Sequence, residues 1–135
     1  MGTIQFAVDI LKVKHIVICG HTDCGAVKGI LALDSLKEKQ YLSDWLSACQ
    51  CKVDLDPECE MDANLKNHVL NQVHNLSQLD FIKDKIASSE LEIHGWLIDL
   101  GDYKIQEFDS QNSSWQELGA KVNSCSEDGM SSSAA

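Results

Sequence analysis

The segment that most constrains the fold is a short apolar run followed by a polar turn. Residues 16–19 read Ile-Val-Ile-Cys, and Gly20 ends the run. A strand that is apolar on both faces is typical of a parallel sheet covered by helices. Residues 21–25 read His-Thr-Asp-Cys-Gly and predict a tight turn at the carboxyl end of this strand.

The residues before and after this strand have the apolar spacing of helices, and Thr3 is predicted to be the N-cap of the first helix. The order of elements predicts an α/β fold with a small, mostly parallel sheet flanked by helices. Because two parallel strands and a hairpin partner make a thin sheet, we expect a homodimer or an upstream segment to cover it. We predict helices over 3–11, 26–33, 41–48 and 64–87, and strands over 16–19, 91–100 and 103–108, the last two joined by a two-residue turn at 101–102.

The charge balance excludes two classes of partner. The chain has 21 acidic and 11 basic residues, all of the latter lysines, and a net charge of -10. Nucleic acids and anionic membrane surfaces require clustered positive charge, so we expect neither as a partner. No apolar run approaches the about 18 residues of a membrane span, and the start lacks a signal-peptide pattern. We therefore expect a cytoplasmic or organelle-stromal protein whose six cysteines are thiols or metal ligands.

Composition divides the chain into one domain and a tail. Residues 1–123 are predicted to form the domain, and the Ser-rich residues 124–135 a flexible tail. Within the domain, residues 54–62 hold five acids and the only proline, which predicts a solvated loop.

His21 and Cys24 are the candidate metal ligands. They stand in H-x-x-C spacing at the carboxyl end of a predicted parallel strand, where open α/β sheets bind their ligands. Cys24 also begins a predicted helix, whose free N–H groups favour a thiolate. Imidazole and thiolate form a partial ligand set for Zn²⁺, although H-x-x-C is only half of a zinc site. The alternative is a buried cysteine and a turn histidine.

The same segment carries a resemblance to a known family. Residues 20–25 (GHTDCG) resemble the second zinc motif of the β-class carbonic anhydrases, and residues 91–100 (LEIHGWLIDL) resemble a late core strand of that family. Residues 2–8 resemble the helix before the zinc strand, so the resemblance covers residues 2–109. It implies the β-carbonic-anhydrase fold and a Zn²⁺ enzyme that hydrates CO₂ to bicarbonate. Because the thin sheet needs cover, we expect a homodimer or a higher homo-oligomer.

The resemblance also assigns residues. It implies that His21 and Cys24 are two of three protein ligands to zinc, and that Gly25 and Ala26 lie beside the substrate pocket. The first motif of the family, C-x-D-x-R, does not occur here, and the chain contains no arginine. We therefore interpret the chain as N-terminally incomplete relative to the family, identify no catalytic residue in it, and expect it to hydrate CO₂ weakly or not at all.

Other residues are alternatives for a third ligand. These alternatives are Asp23, Cys49, Cys51, Cys59 and Cys125. Each has a more ordinary interpretation: the aspartate as a turn residue, and the cysteines as thiols that bind no metal.

The remaining histidines are predicted to be structural. His15 is expected at the surface and His94 in the core or at an interface. His68 and His74 are six residues apart on the long helix and therefore do not share a face.

Two other functions are open on this scaffold. One is a degenerate, non-catalytic module for dimerisation or partner binding. The other is a hydrolase of carbonyl sulfide or carbon disulfide that uses the same metal.

Overall fold

A mixed sheet organises the residues that the computed structural model describes, which are 1–50, without the side chain of Gln50, and 55–119. Within them the sheet has four strands in the order β1-β2-β3-β4. β1 and β2 are parallel, whereas β2–β3 and β3–β4 are antiparallel. The strands are β1 (His15–His21), β2 (Glu92–Ile98), β3 (Ile105–Asp109) and β4 (Ser114–Glu117).

The structure confirms the predicted α/β class, the parallel pair and the hairpin partner. β4 was not predicted, and its antiparallel pairing makes the sheet mixed rather than mostly parallel. The signal for β4 is a run of turn residues between two aromatic residues, Phe108 and Trp115. These are cross-strand partners whose ring centroids lie 5.6 Å apart.

Helices flank the sheet. The first begins at Gly2 with Met1 in the N-cap position, so the predicted cap at Thr3 is wrong. No helix among the described residues is long and apolar enough to cross a membrane. The helices are α1 (Gly2–Gln5), which continues as a π-helical turn (Phe6–Ile10), α2 (Gly25–Leu31), a 3₁₀ turn (Leu33–Leu36), α3 (Gln40–Gln50), α4 (Met61–Ser77) and α5 (Asp80–Ala87).

The long helix predicted over 64–87 is instead two helices, α4 and α5. Leu79 lies between them with an extended backbone (φ -70, ψ 132). The Ser77 hydroxyl donates to the carbonyl oxygen of His74 at 2.7 Å. A side chain that bonds to the backbone competes with continued helix, which accounts for the break.

The predicted two-residue turn between β2 and β3 is also wrong, because the connection spans residues 99–104. The Asp99 N–H donates to the Lys104 carbonyl oxygen at 2.8 Å, and the Gly101 N–H donates to Asp99 Oδ1 at 2.6 Å. An aspartate that accepts from the backbone two residues later stabilises a longer loop.

Helix α4 covers one face of the sheet at close range. A Cβ atom on Gly20 would lie 2.5 Å from Val69 Cγ2, and one on Gly95 would lie 3.2 Å from Val69 Cγ1. The opposite face is open along β1, where alternate residues are exposed (His15, Val17, Cys19 and His21). Glycine at these positions lets α4 approach β1 and β2.

Gly20→Ala is expected to destabilise the fold by about 1–3 kcal/mol, because the added methyl group overlaps a stiff, buried valine. Urea unfolding measures the change. Gly119→Ala is the control, since a Cβ atom there has nothing within 4 Å. The loss should shrink in a Val69→Ala background, which removes the opposing methyl group. An unchanged loss in that background would disprove the close approach of α4.

Two clusters of buried side chains form the core. The first joins the N-terminal turns to α4 and α5 through Val8, Leu76, Ile82 and Leu91. The second joins α2, α4 and β2 through Val27, Leu65 and Leu97, and Cys24 packs against it. The second cluster therefore connects the core to the predicted metal motif.

The acidic segment, predicted as a loop over 54–62, is a loop at 55–60, whereas residues 61–62 begin α4, and the loop is anchored rather than simply solvated. Asn64 of α4 is fully buried. Its Nδ2 donates to the carbonyl oxygens of Asp56 at 2.8 Å and Cys59 at 3.2 Å, and its Oδ1 accepts from the Asp56 N–H at 2.9 Å. The predicted tail, 124–135, lies outside the described residues, as do Cys51 and Cys125.

Candidate metal centre

The H-x-x-C turn is fixed at the carboxyl end of β1 by bonds to β2. His21 is the last residue of β1, and its strand partner is Ile98. The Thr22 N–H donates to the Ile98 carbonyl oxygen at 2.9 Å, and Thr22 Oγ1 accepts from the Leu100 N–H at 2.9 Å. These two bonds hold the turn against the end of the neighbouring strand.

His21 is exposed, and one of its ring nitrogens forms a hydrogen bond with the backbone. Its Nδ1 lies 2.9 Å from the Thr22 carbonyl oxygen. Because a carbonyl oxygen only accepts, Nδ1 carries the proton, and in the neutral ring Nε2 carries a lone pair. Histidines that bind metals are commonly oriented in this way through the other nitrogen.

Cys24 is half-buried in the N-cap position of α2 (φ -67, ψ 112). Its carbonyl oxygen accepts from the Lys28 N–H at 3.1 Å, which closes the first turn of α2. Its side chain packs against the cluster of Val27, Leu65 and Leu97. Both residues of the H-x-x-C motif therefore lie at the carboxyl end of β1. The turn positions His21, and the core cluster positions Cys24.

Asp23 lies between the two donors in a left-handed conformation (φ 59). Its carboxylate forms an ion pair with the ammonium group of Lys28. The hydrogen bond and the charge of Lys28 lower the pKa of Asp23, and His21 adds a smaller effect in the same direction. Asp23 is therefore a turn residue, as in its ordinary interpretation, and its carboxylate pairs with Lys28.

Lys28→Met is expected to raise the pKa of Asp23 toward its ordinary value, because it removes the main cause of the lowering. NMR titration of the carboxyl carbon measures the shift. Since the folded-state pKa is lowered, the pair stabilises the fold above the unfolded pKa and ceases to do so as pH falls through the folded one. Lys37→Met is the control, because Lys37 lowers the pKa of Asp34 instead. An unmoved Asp23 titration in Lys28→Met would contradict the assigned pair.

Cys59 and Cys49, the two alternative thiols among the described residues, are not grouped with the motif. The Cys59 thiol donates to Asp56 Oδ2 at 3.4 Å, and this bond raises the pKa of Cys59, which favours the thiol over the thiolate. Cys49 is half-buried on α3. Among residues 1–50 and 55–119, no third Cys, His, Asp or Glu joins His21 and Cys24 in a group with ligand atoms within 4.8 Å of one another. The imidazole of His21 and the thiol of Cys24 are donor types that Zn²⁺ accepts in proteins.

The predicted pocket residues, Gly25 and Ala26, are the first two of α2. Gly25 is exposed, and a Cβ atom on it would have nothing within 4 Å. The space in front of Gly25 is therefore open, directly beside Cys24.

The described residues do bring together three other ligand-type side chains, those of His15, Glu92 and His94. His15 is exposed, as predicted. His94 is half-buried, and its two ring nitrogens form hydrogen bonds with the side chains of His15 and Glu107. This agrees with the prediction of a structural histidine. Sequence reasoning missed this group, because 79 residues separate the two histidines.

Comparison with known proteins agrees with the resemblance. Residues 1–105 match a family model described as carbonic anhydrase. The chain is 31% identical over 108 residues to a carbonic anhydrase of Synechococcus elongatus, a match that covers 73% of this chain and 40% of that protein. The chain thus spans less than half the length of this relative.

Solved structures show the same architecture. The β-carbonic anhydrase CcaA superimposes with a TM-score of 0.74 at 27% identity, over 90% of this chain and 59% of that one. One of two β-carbonic anhydrases of Sordaria macrospora, described as tetrameric, superimposes with a TM-score of 0.51 at 28% identity, over 78% of this chain and 57% of that one.

Proposed function

Because the chain belongs to the β-class carbonic anhydrase family, we propose that His21 and Cys24 are zinc ligands in a site whose reaction is the reversible hydration of CO₂ to bicarbonate. The observation that carries the proposal is the placement of both donors at the carboxyl end of β1, in a turn bonded to β2. Zn²⁺ held there would supply Lewis acidity, which lowers the pKa of water to about 7.

Other residues support this role by positioning the two donors. The Thr22 carbonyl oxygen orients His21, and the core cluster positions Cys24. Gly25 leaves open space beside Cys24, where a small linear substrate such as CO₂ fits. We assign Gly25 and Ala26 to the substrate side of the site.

We propose that the third ligand belongs to a segment that the relatives have and that this chain does not span. Catalytic zinc sites have three protein ligands, and no third ligand-type side chain among the described residues groups with His21 and Cys24. The first family motif, C-x-D-x-R, has no counterpart in the sequence. We therefore expect this chain to bind zinc with two protein ligands and to hydrate CO₂ slowly or not at all.

A homo-oligomer is part of the proposal. Apolar side chains near the N-terminus are exposed, among them Phe6 at 54%, Ile10 at 64% and Leu11 at 62%. Large exposed apolar side chains of this kind mark interaction surfaces when they are contiguous. The tetrameric relatives from Sordaria make a second copy of the chain the expected partner. Light scattering during gel filtration measures the mass, and a monomer at high concentration would refute the oligomer.

The test of function compares two proteins in stopped-flow CO₂ hydration with added zinc. One is this chain, and the other is a fusion that places the segment with the first motif of the Synechococcus relative before it. We expect turnover by the fusion that His21→Ala abolishes and Cys59→Ala leaves unchanged. Rapid zinc-dependent turnover by the unextended chain would overturn the assignment of the third ligand. An inactive fusion that binds zinc, or a fusion that hydrolyses carbonyl sulfide but does not hydrate CO₂, would overturn the proposed reaction.

A further inference from the structure

We propose that His15, Glu92 and His94 form a second cation site, which binds a divalent transition metal of the Zn²⁺, Cu²⁺ and Ni²⁺ group and joins β1 to β2. This site is separate from the His21 and Cys24 motif. It does not depend on the proposed catalytic function.

The strand register places the three side chains on one face of the sheet. His15 is the parallel partner of Glu92, and Val17 is the partner of His94. Because side chains alternate along a strand, residues 15 and 17 of β1 and residues 92 and 94 of β2 lie on the same face. This is the face opposite α4, along which the alternate residues of β1 are exposed.

The ligand atoms have nearly the spacing that a small metal ion requires. His15 Nδ1 lies 3.1 Å from His94 Nε2 and 3.7 Å from Glu92 Oε2. His94 Nε2 lies 3.8 Å from Glu92 Oε2. With metal–nitrogen and metal–oxygen distances of about 2.1 Å, neighbouring ligand atoms in a tetrahedral site are about 3.4 Å apart. In the metal-free chain His15 Nδ1 donates to His94 Nε2, so metal binding requires the His15 proton to move to its own Nε2, which leaves a lone pair on Nδ1. Small side-chain shifts then complete three protein ligands.

An outer carboxylate holds His94 in the orientation that such a site needs. Glu107 of β3 lies with its Oε1 2.7 Å from His94 Nδ1. Because the carboxylate accepts, Nδ1 carries the proton, and in the neutral ring the lone pair is on Nε2, which faces the other two ligands. A carboxylate behind a metal-binding histidine is a common support for such sites. The His94 and Glu107 side chains are 26% and 29% exposed, so this half of the site is largely shielded from solvent.

The remaining surroundings predict a labile site that is open to solvent. The side chains of His15 and Glu92 are 59% and 68% exposed. Lys12 and Lys14 line a depression beside these two residues and oppose a cation, whereas Glu92 and Glu107 favour it. Two imidazoles and one carboxylate favour Zn²⁺, Cu²⁺ or Ni²⁺ over Ca²⁺ and Mg²⁺, which prefer oxygen ligands.

The two metal sites are distinguishable by position and chemistry. His15 and His21 are the two ends of β1, about 20 Å apart at about 3.3 Å per residue. The new site contains no sulfur. Experiments in a Cys24→Ala background therefore report on the new site even if His21 and Cys24 bind no metal, and sulfur-specific signals do not come from the new site.

The test is Zn²⁺ titration of the Cys24→Ala chain by calorimetry and NMR of the histidine rings. We expect saturable binding that moves the ring signals of His15 and His94. Further substitution by His94→Ala or His15→Gln should weaken binding at least about 10-fold, and Glu107→Gln about 10-fold through the orientation of His94. The control is His74→Ala, which removes an exposed imidazole from α4 and should leave binding unchanged.

The absence of saturable Zn²⁺ binding in the Cys24→Ala background would overturn the site, as would equal losses in His74→Ala and His94→Ala. If His94→Ala fails to fold, His15→Gln and Glu92→Gln decide, because both side chains are largely exposed. Unchanged affinity in both of these variants would also overturn the site.

Discussion

Cys24→Ala is expected to abolish the thiolate-to-metal charge-transfer band of the Co²⁺-loaded chain and to weaken Zn²⁺ binding at the motif at least about 100-fold. Loss of an outer-shell partner alone costs about 10–100-fold in metal affinity, so loss of a ligand costs more. The thiolate is also the softer and more zinc-selective of the two donors. Absorption in the near ultraviolet and competition with a chromogenic chelator measure the two effects.

Cys19→Ala is the matched control for this prediction. Cys19 is an exposed cysteine on the same strand as His21, and its Sγ lies near the Gly20 carbonyl oxygen at 3.6 Å. We expect the cobalt band and the zinc affinity to survive this change. A band that persists in Cys24→Ala, or disappears in Cys19→Ala, would assign the ligand to a different cysteine.

Leu97→Ala is expected to destabilise the chain by about 2–5 kcal/mol, the usual cost of a cavity in a packed core. Leu97 is 2% exposed and packs in the cluster with Val27 and Leu65, against which Cys24 also lies. Urea unfolding measures the loss. Because native domains are stable by only about 5–15 kcal/mol, this change consumes a large share of the total.

Leu100→Ala is the control, since Leu100 follows β2 in sequence and is 49% exposed. A surface change of this kind should alter the free energy of unfolding by less than about 0.5 kcal/mol. Equal losses in the two variants would show that the cluster of Val27, Leu65 and Leu97 is not a core.

The features predicted correctly from the sequence are those with a local cause. The apolar run at 16–19 predicted a strand in a parallel pair, and β1 pairs in parallel with β2. Turn residues at 21–25 predicted the turn that follows it. Each depends on neighbouring residues, whose periodicity and turn chemistry are visible in sequence.

The predicted ends of helices and strands were wrong where a side chain forms a hydrogen bond with the backbone. The Ser77 hydroxyl bonds to the His74 carbonyl oxygen at the end of α4, and the Asp99 carboxylate holds the loop after β2. Hydrophobic periodicity continues across the first position, so the pattern predicted one helix where there are two. Competition of this kind depends on which rotamer the polar side chain adopts.

The group of His15, Glu92 and His94 could not be predicted, because it depends on strand register. A shift of one residue between β1 and β2 would turn His94 to the face covered by α4. Register is fixed by the packing of Gly20 and Gly95 against Val69, which involves three distant parts of the chain. The H-x-x-C motif, in contrast, places both donors within one turn.

X-ray absorption at the zinc edge, on the His15→Ala/His94→Ala chain loaded with one zinc per chain, tests the central claim most directly. The account predicts one sulfur at about 2.3 Å, from Cys24, and nitrogen or oxygen ligands at about 2.0–2.1 Å that include an imidazole, from His21. A shell without sulfur, or one with two or more sulfurs, would contradict the assignment of His21 and Cys24 as the zinc ligands.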